Sequence, residues 1–145
     1  METKWFTLRT VEDKESIAQA ADILRRGGLL AIPTETVYGL GADGLNADAV
    51  RHIFEAKGRP QDNPLIVHIY GMEMLKGIVS EVPERAKKLA AAFWPGPLTM
   101  ILADKGVVSA MVNDEGDTLG VRCPDHPMTQ SILQEADVAL AAPSA

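Results

Sequence analysis

A chain of 145 residues, 46% hydrophobic and 23% charged, is long enough for one folded domain with a real core, which excludes a disordered polypeptide. No stretch approaches the roughly 18 apolar residues of a membrane helix, and the net charge of −6 argues against non-specific nucleic-acid binding. The only cysteine, Cys123, excludes an internal disulfide, and the first residues lack a signal-peptide pattern, so we expect a cytoplasmic protein without membrane contact.

The first quarter of the chain alternates extended and helical patterns. Trp5 to Arg9 alternates apolar and polar residues and predicts a strand, after which apolar residues recur at helical spacing from Ile17 to Leu24. Gly27 is expected to end that helix. The apolar run 29–32 then predicts a short buried strand, and residues 34–44 are predicted to form a loop.

A second helix is predicted before a second buried strand. Asn46 or Asp48 can cap this helix, which carries apolar residues on neighbouring turns and ends at Lys57 and Gly58. The apolar run 64–69 that follows predicts a strand. The basic residues near Lys57 are therefore expected at a helix end.

The next part of the chain indicates a sheet of mixed direction. Pro83 is expected to open a helix with an apolar face made by Ala86, Leu89, Ala90 and Phe93. Residues 98–102 and 119–121 are strand candidates with no helix between them. Strands joined without a crossover helix run antiparallel, so the predicted fold is α/β with a mixed sheet.

The carboxy-terminal pattern is a helix followed by an apolar strand. Asp125 is predicted to cap the helix, which extends through Leu133, and residues 138–142 form the strand. The sequence stops directly after this strand, with nothing to cover it. We therefore expect a single domain, residues 1–145, that lacks its carboxy-terminal part.

Residues 39–44 match the dinucleotide-binding pattern GxGxxG. That fingerprint requires the first glycine directly after a strand and the third in the opening turn of a helix. Here residues 33–38 intervene, and the predicted helix begins only after Asn46. We therefore interpret these glycines as permitting a tight turn.

The predicted loop concentrates hydroxyl groups and one carboxylate. Thr34, Glu35, Thr36 and Tyr38 leave the end of a predicted strand, where α/β sheets tend to bind ligands. The alternative is a turn whose polar groups are satisfied by its own hydroxyls. The residues alone leave both interpretations open.

Basic residues are unevenly distributed along the chain. After Lys105 the only basic residue is Arg122, whereas Arg51, Lys57 and Arg59 form a small cluster. Two cations at the bend after a helix suit a triphosphate, because lysine supplies a point charge and arginine a planar fork. The alternative is a basic helix end that complements the helix dipole. No aspartate spacing indicates a resident metal, and we expect magnesium only with nucleotide phosphates.

The remaining candidates for a functional site are a histidine and an arginine in or next to predicted strands. His68 lies in an apolar strand, where a core histidine with satisfied hydrogen bonds is the commoner outcome, whereas His52 and His126 are expected at the surface. Arg122 follows an apolar strand and needs a partner, which is either a pocket ligand or a nearby carboxylate.

The order of these segments resembles the YrdC family. The matching segments are 27–41, 57–60, 63–65, 94–99, 120–124 and 143–145. Several separated motifs in one order are more specific than any single motif. The resemblance implies a twisted mixed α/β sheet flanked by helices, with a concave groove.

The resemblance also implies an enzymatic activity, L-threonylcarbamoyladenylate synthesis. L-threonine and bicarbonate would form N-carboxythreonine, whose carboxylate attacks the α-phosphate of ATP and expels pyrophosphate. The product would serve threonylcarbamoyl modification of the adenosine beside the anticodon in certain tRNAs. The implied partners are therefore ATP with magnesium, threonine, bicarbonate, downstream threonylcarbamoyl-transfer proteins and, in direct contact, tRNA or other RNA.

The resemblance assigns residues to two adjoining sites. Thr36, His68 and Arg122 would line a threonine pocket, with Arg122 facing the carboxylate. Lys57 and Arg59 would be catalytic through charge stabilisation rather than proton transfer, because nucleotidyl transfer depends on positioning and on neutralising phosphate oxygens. The implied ATP-binding residues are Lys57, Arg59, Asn63, Thr118, Ala142 and Ser144.

The sequence departs from the family pattern in one signature residue. The asparagine of the family's Lys-x-Arg…Ser-x-Asn signature would be residue 146, so we expect this polypeptide to show weak turnover or none.

Two alternative functions stay open. The first is a double-stranded RNA or tRNA-binding module without catalysis, although the acidic net charge of the chain argues against it. The second is a carbamoyl-adenylate enzyme of the hydrogenase-maturation type, which usually lies within a longer chain.

Overall fold

The computed structural model describes residues 3–6, 10, 12–58 and 64–145. Of the strand predicted for Trp5 to Arg9, residues 7–9 lie outside the described part, and Trp5 and Phe6 belong to no strand. The helices are α1 (Lys14–Arg25), α2 (Ala47–Lys57), α3 (Met72–Ile78), α4 (Glu84–Phe93) and α5 (Pro127–Ala136), with a short 3-10 helix at Ala110–Val112. The strands are β1 (Leu30–Ile32), β2 (Gly39–Asp43), β3 (Ile66–His68), β4 (Thr99–Ala103), β5 (Thr118–Arg122) and β6 (Leu140–Ala142).

The first two helices form where their sequence signals predict. The buried face of α1 is made by Ile17, Leu24 and the alanines between them, at the predicted spacing. The Asn46 side chain accepts a hydrogen bond from the Ala49 backbone N–H at 3.1 Å, so Asn46 rather than Asp48 caps α2. Gly58 ends α2 in the left-handed conformation at φ 63°.

The structure differs from the sequence predictions at three helices. The short α3 is absent from those predictions. In α4 the predicted apolar face is confirmed at Ala86 and Ala90, which are buried, and wrong at Leu89 and Phe93, which are 38% and 57% exposed. His126 rather than Asp125 caps α5, and its ring nitrogen accepts from the Met128 N–H at 3.3 Å.

The six strands of the described residues form one mixed sheet in the order β1-β2-β6-β3-β5-β4. Only β3 and β5 run parallel, and the other neighbours are antiparallel. The expected mixed α/β architecture is confirmed. The loop predicted for 34–44 is wrong from residue 39 onward, because β2 lies there between β1 and β6.

Close packing explains two of these glycines. A Cβ atom at Gly41 would lie 2.6 Å from Leu140 Cδ2, and one at Gly44 would lie 2.9 Å from the Ala139 carbonyl oxygen. The predicted tight turn is wrong for Gly39 and Gly41, which lie inside β2, whereas Gly44 does lie in a turn, where the Asn46 N–H donates to the Asp43 carbonyl oxygen at 3.1 Å. Because α2 begins only at Ala47, the segment is not the strand-to-helix turn of a dinucleotide site.

Two apolar clusters cover the sheet unequally. One cluster packs α2, α3 and α4 against residues such as Val67 and Val121, and the other packs α1 and α5 against Ile32 and Leu140. Among the described residues, no helix covers the face of β3, β5 and β4 on the α1 and α5 side, where Ile101 is 65% exposed. This open sheet surface borders the candidate site.

Substitution of Gly41 by alanine should destabilise the protein. The new Cβ would overlap the buried Leu140 side chain, and overpacking of this kind costs about 1–3 kcal/mol of unfolding free energy. Urea denaturation measures the loss. The matched control is Gly77→Ala in α3, where no atom lies within 4 Å of the new Cβ and the helix should gain slightly. Equal stability of the two variants would contradict the close-packing explanation.

Candidate functional site

A cavity of about 230 Å³ opens where the 33–38 loop meets the ends of β3, β5 and β6. Strand ends and the loops that follow them are common ligand-binding positions in α/β proteins. The cavity is lined by Thr34, Thr36, Val37, Gly39, Pro64, Ile66, His68, Arg122, Ala142, Pro143 and Ser144.

The 33–38 loop is organised by one hydroxyl group. Thr34 Oγ1 accepts from the backbone N–H groups of Thr36 and Val37, each at 3.2 Å, and donates to the Val37 carbonyl oxygen at 2.5 Å. It also lies 3.1 Å from Thr36 Oγ1. The turn is therefore satisfied by its own hydroxyl group, as the second interpretation expected, and Thr34 and Thr36 also line the cavity.

Three contacts fix this loop to the rest of the fold. Glu35 Oε2 accepts the Asp125 backbone N–H at 2.5 Å, just before α5. The Thr129 hydroxyl of α5 donates to the Pro33 carbonyl oxygen, and the Ala145 N–H donates to the Tyr38 carbonyl oxygen at 2.8 Å. The position of Thr36 is therefore determined by α5 and by the residues after β6.

Arg122 faces the cavity without a carboxylate partner in the described part of the chain. Its Nε and Nη2 atoms donate to Thr99 Oγ1 at 3.0 and 2.7 Å. The ion pairs found among the described residues all join residues three or four positions apart in α1 and its C-cap, α2, α3 or α4, and none includes Arg122. The nearby carboxylate that the sequence offered as one alternative is therefore not found among the described residues, where Arg122 is hydrogen-bonded to Thr99.

His68 is buried beside Arg122 and is neutral. Its side chain is 5% exposed, and Nδ1 donates to the Ile66 carbonyl oxygen at 3.1 Å. Burial, and secondly the positive charge of Arg122, lower the pKa of His68 from 6.5 to about 4. The imidazole therefore adds hydrogen-bonding atoms to the site, and the positive charge of the cavity comes from Arg122.

Lys57 contacts the cavity from the end of α2. Its Nζ donates to the Ser144 carbonyl oxygen, and Ser144 itself lines the cavity. Thr118 lies at the other end of β5 from Arg122, roughly 13 Å away along the strand, and is not part of the lining. Arg59 and Asn63 lie outside the described residues.

The structure thus gathers five of the predicted site residues around one cavity. These are Thr36, His68, Arg122, Ala142 and Ser144, with Lys57 one hydrogen bond away. Sequence reasoning assigned no role to Ile66, Pro143 or Thr99. Thr99 ends the family-like segment 94–99, but that motif does not show its contact with Arg122, which depends on the register between β4 and β5.

The described residues form neither a cluster of metal-binding side chains nor a membrane-spanning helix. In ranges 3–6, 12–58 and 64–145 and at residue 10, no three His, Cys, Asp or Glu side chains are grouped so that they could hold a metal ion. Over the same residues, none of the helices combines the length and apolarity needed to cross a bilayer.

Comparison with known proteins identifies the family. A family model for Sua5, YciO and YrdC proteins, described as "Telomere recombination", matches residues 22–145. The chain belongs to the Sua5/YciO/YrdC family. The Bacillus subtilis threonylcarbamoyl-AMP synthase, a curated relative, is 49% identical over 150 aligned residues that include all of this chain.

Solved structures of related proteins share the fold. A crystal structure of Pyrococcus abyssi Sua5 complexed with L-threonine matches 91% of this chain with a TM-score of 0.89 at 48% identity. Full-length HypF in a phosphate- and nucleotide-bound form matches 88% of it with a TM-score of 0.77 at 25% identity. The chain spans 43% of the B. subtilis relative, 39% of the Sua5 chain and 20% of the HypF chain.

Replacing His68 by glutamine should change how stability depends on pH. Between pH 4 and 6.5 the unfolded histidine binds more protons than the folded one, so His68 lowers stability as the pH falls through this window. The unfolding free energy of the wild type, relative to His68→Gln, should therefore rise by about 3 kcal/mol from pH 4 to pH 7. Urea denaturation across this range measures the difference.

The matched control is His52→Gln, which removes an exposed histidine of α2. This variant should retain the rise in stability between pH 4 and 7 that His68 produces. Parallel pH profiles for wild type and His68→Gln would contradict a neutral, buried His68.

Proposed function

We propose that this chain provides the amino-acid and nucleotide sites of an L-threonylcarbamoyladenylate synthase. The reaction converts L-threonine, bicarbonate and ATP into threonylcarbamoyl-AMP, pyrophosphate and water, for threonylcarbamoyladenosine formation in tRNA. The observation that carries the proposal is a cavity in which Arg122 has no carboxylate partner among the described residues. Support comes from the similar Sua5 chain that is complexed with L-threonine.

The chemistry of the cavity suits a small polar amino acid. An arginine fork binds a carboxylate through two parallel hydrogen bonds, and this charge is not neutralised by a neighbouring ion pair. The Thr36 hydroxyl and the neutral His68 ring offer partners for a side-chain hydroxyl and an amino group. In the proposed complex, Arg122 therefore holds the carboxylate of threonine while the amino group remains available for carboxylation.

The nucleotide would lie beside this cavity, next to the end of α2. Lys57 already donates a hydrogen bond to the Ser144 backbone, which places a cation at the rim of the cavity. In the proposed complex Lys57 and Arg59 face phosphate oxygens, and Asn63, Thr118, Ala142 and Ser144 complete the ATP site. The nucleotide-bound HypF structure, which shares the fold, supports a nucleotide site on this scaffold.

The proposed step is an in-line displacement at phosphorus. The carboxylate oxygen of N-carboxythreonine forms a bond to the α-phosphorus, the bond from that phosphorus to the α,β-bridging oxygen breaks, and pyrophosphate leaves. Negative charge develops on the phosphate oxygens, so fixed cations accelerate the step by electrostatic stabilisation. Magnesium would enter with the ATP phosphates as part of the substrate, and the proposal assigns no protein ligand to it.

The proposal also gives the chain a place in tRNA modification. Threonylcarbamoyl-AMP is a mixed anhydride, so a separate transfer reaction must pass its acyl group to the adenosine. We propose that this takes place in the cytoplasm and that other proteins carry out the transfer. Direct binding of RNA is less well supported, because the net charge of −6 opposes contact with a phosphate backbone.

Isothermal titration with L-threonine and a non-hydrolysable ATP analogue separates the two sites. Arg122→Ala should weaken threonine binding at least about tenfold, because charge-assisted hydrogen bonds to the carboxylate are lost. Lys57→Ala should weaken binding of the ATP analogue by a similar factor and affect threonine less. Both variants should unfold cooperatively in urea.

Matched controls for these variants are Arg85→Ala and Lys88→Ala. Both residues are exposed on α4 and outside the cavity lining, so binding of both ligands should be unchanged. Two results would contradict the proposal. One is the absence of threonine binding by the wild type, and the other is RNA affinity that falls steeply with salt in a protein that does not bind threonine.

A further inference from the structure

We propose that Thr99 is a positioning residue of the amino-acid pocket, which holds the Arg122 guanidinium in the orientation that receives a carboxylate. The inference rests on the proposed function and extends it to a residue that does not itself line the cavity. Thr99 acts through Arg122 and is not proposed to touch the ligand.

The register of three strands produces this contact. His68 of β3 lies opposite Arg122 of β5, and Thr99 of β4 lies opposite Arg122 on its other side. Residues directly opposite one another in neighbouring strands point to the same face of a sheet. The three side chains therefore form a row that runs from the cavity to the edge strand.

Thr99 gives Arg122 two hydrogen bonds but no negative charge. The N–H groups of Nε and Nη2 both point at Thr99 Oγ1, at 3.0 and 2.7 Å, and so occupy the two lone pairs of the hydroxyl. An aspartate or glutamate in this position would form an ion pair with Arg122 and compete with a ligand carboxylate. A neutral acceptor fixes the plane of the guanidinium and leaves its charge for the ligand.

Two hydrogen bonds hold the turn that precedes Thr99 in place. The Trp94 indole N–H donates to the Leu98 carbonyl oxygen at 2.8 Å. The Gly96 N–H donates to the Cys123 carbonyl oxygen at 2.8 Å, which ties the turn to the residue that follows Arg122. The segment 94–99, which the proposed function alone does not use, therefore fixes Thr99 opposite Arg122.

The test compares ligand binding by Thr99→Val and Thr99→Ser with that of the wild type. Valine keeps the shape and the strand preference of threonine but removes the acceptor, whereas serine keeps the hydroxyl. In isothermal titration Thr99→Val should bind L-threonine about tenfold more weakly, with unchanged affinity for the ATP analogue. Thr99→Ser should restore threonine binding to near the wild-type value.

The matched control is Ile101→Val on the same face of β4. Ile101 is exposed and lies opposite Gly120, so its shortening should change neither affinity. A general weakening of the sheet would instead lower both affinities of Thr99→Val together with its resistance to urea. That result would assign Thr99 a structural role and overturn the positioning role.

A measurement on the wild type alone covers the case in which Thr99→Val does not fold. In a ¹⁵N NMR spectrum the Arg122 Nε–H should exchange with water more slowly than the Nε–H of the exposed Arg85, because it is hydrogen-bonded to Thr99. Equal exchange rates would overturn the inference.

The outcomes also distinguish this inference from the proposed function. If the wild type and Thr99→Val bind threonine equally well, the role of Thr99 is wrong while the proposed function stands. If the wild type binds no threonine, the proposed function and the positioning role are both overturned.

Discussion

The arrangement of the candidate site depends on one charged group, the Arg122 guanidinium, which faces a cavity and makes no ion pair among the described residues. A partly buried arginine usually costs stability unless its charge is compensated. Here its guanidinium donates hydrogen bonds to a threonine hydroxyl, and burial and the arginine itself lower the pKa of the nearby His68. In the proposed complex a ligand carboxylate pairs with the charge of Arg122.

The sheet places this charge next to the other parts of the site through β6. This strand enters between β2 and β3, antiparallel to both, and the residues that follow it reach the cavity. The Pro143 carbonyl accepts the Leu40 N–H, and the Ser144 carbonyl accepts a hydrogen bond from Lys57 at the end of α2. One short segment thus joins β2 and the basic helix end to the proposed amino-acid pocket.

Much of the fold follows from local chemistry that can be read from the chain. Asn46 caps α2, Gly58 ends it, and the apolar spacing of α1 gives its buried face. The sheet was harder to predict at β2, where Gly39 and Gly41 carry no side chain and so give no hydrophobic pattern. For Gly41 the reason for a glycine is the nearby Leu140 side chain, about one hundred residues away in sequence.

The sequence by itself determined the residue types of the site, the mixed α/β class and, through the order of its motifs, the family. Only the tertiary structure decided that Thr36, His68 and Arg122 share one cavity, that Lys57 reaches it through Ser144, and that Thr118 lies further along β5. The physical reason is strand register. A shift of one residue in the pairing of β4 with β5 would turn Thr99 to the opposite face of the sheet and away from Arg122, and no local pattern in the sequence encodes that pairing.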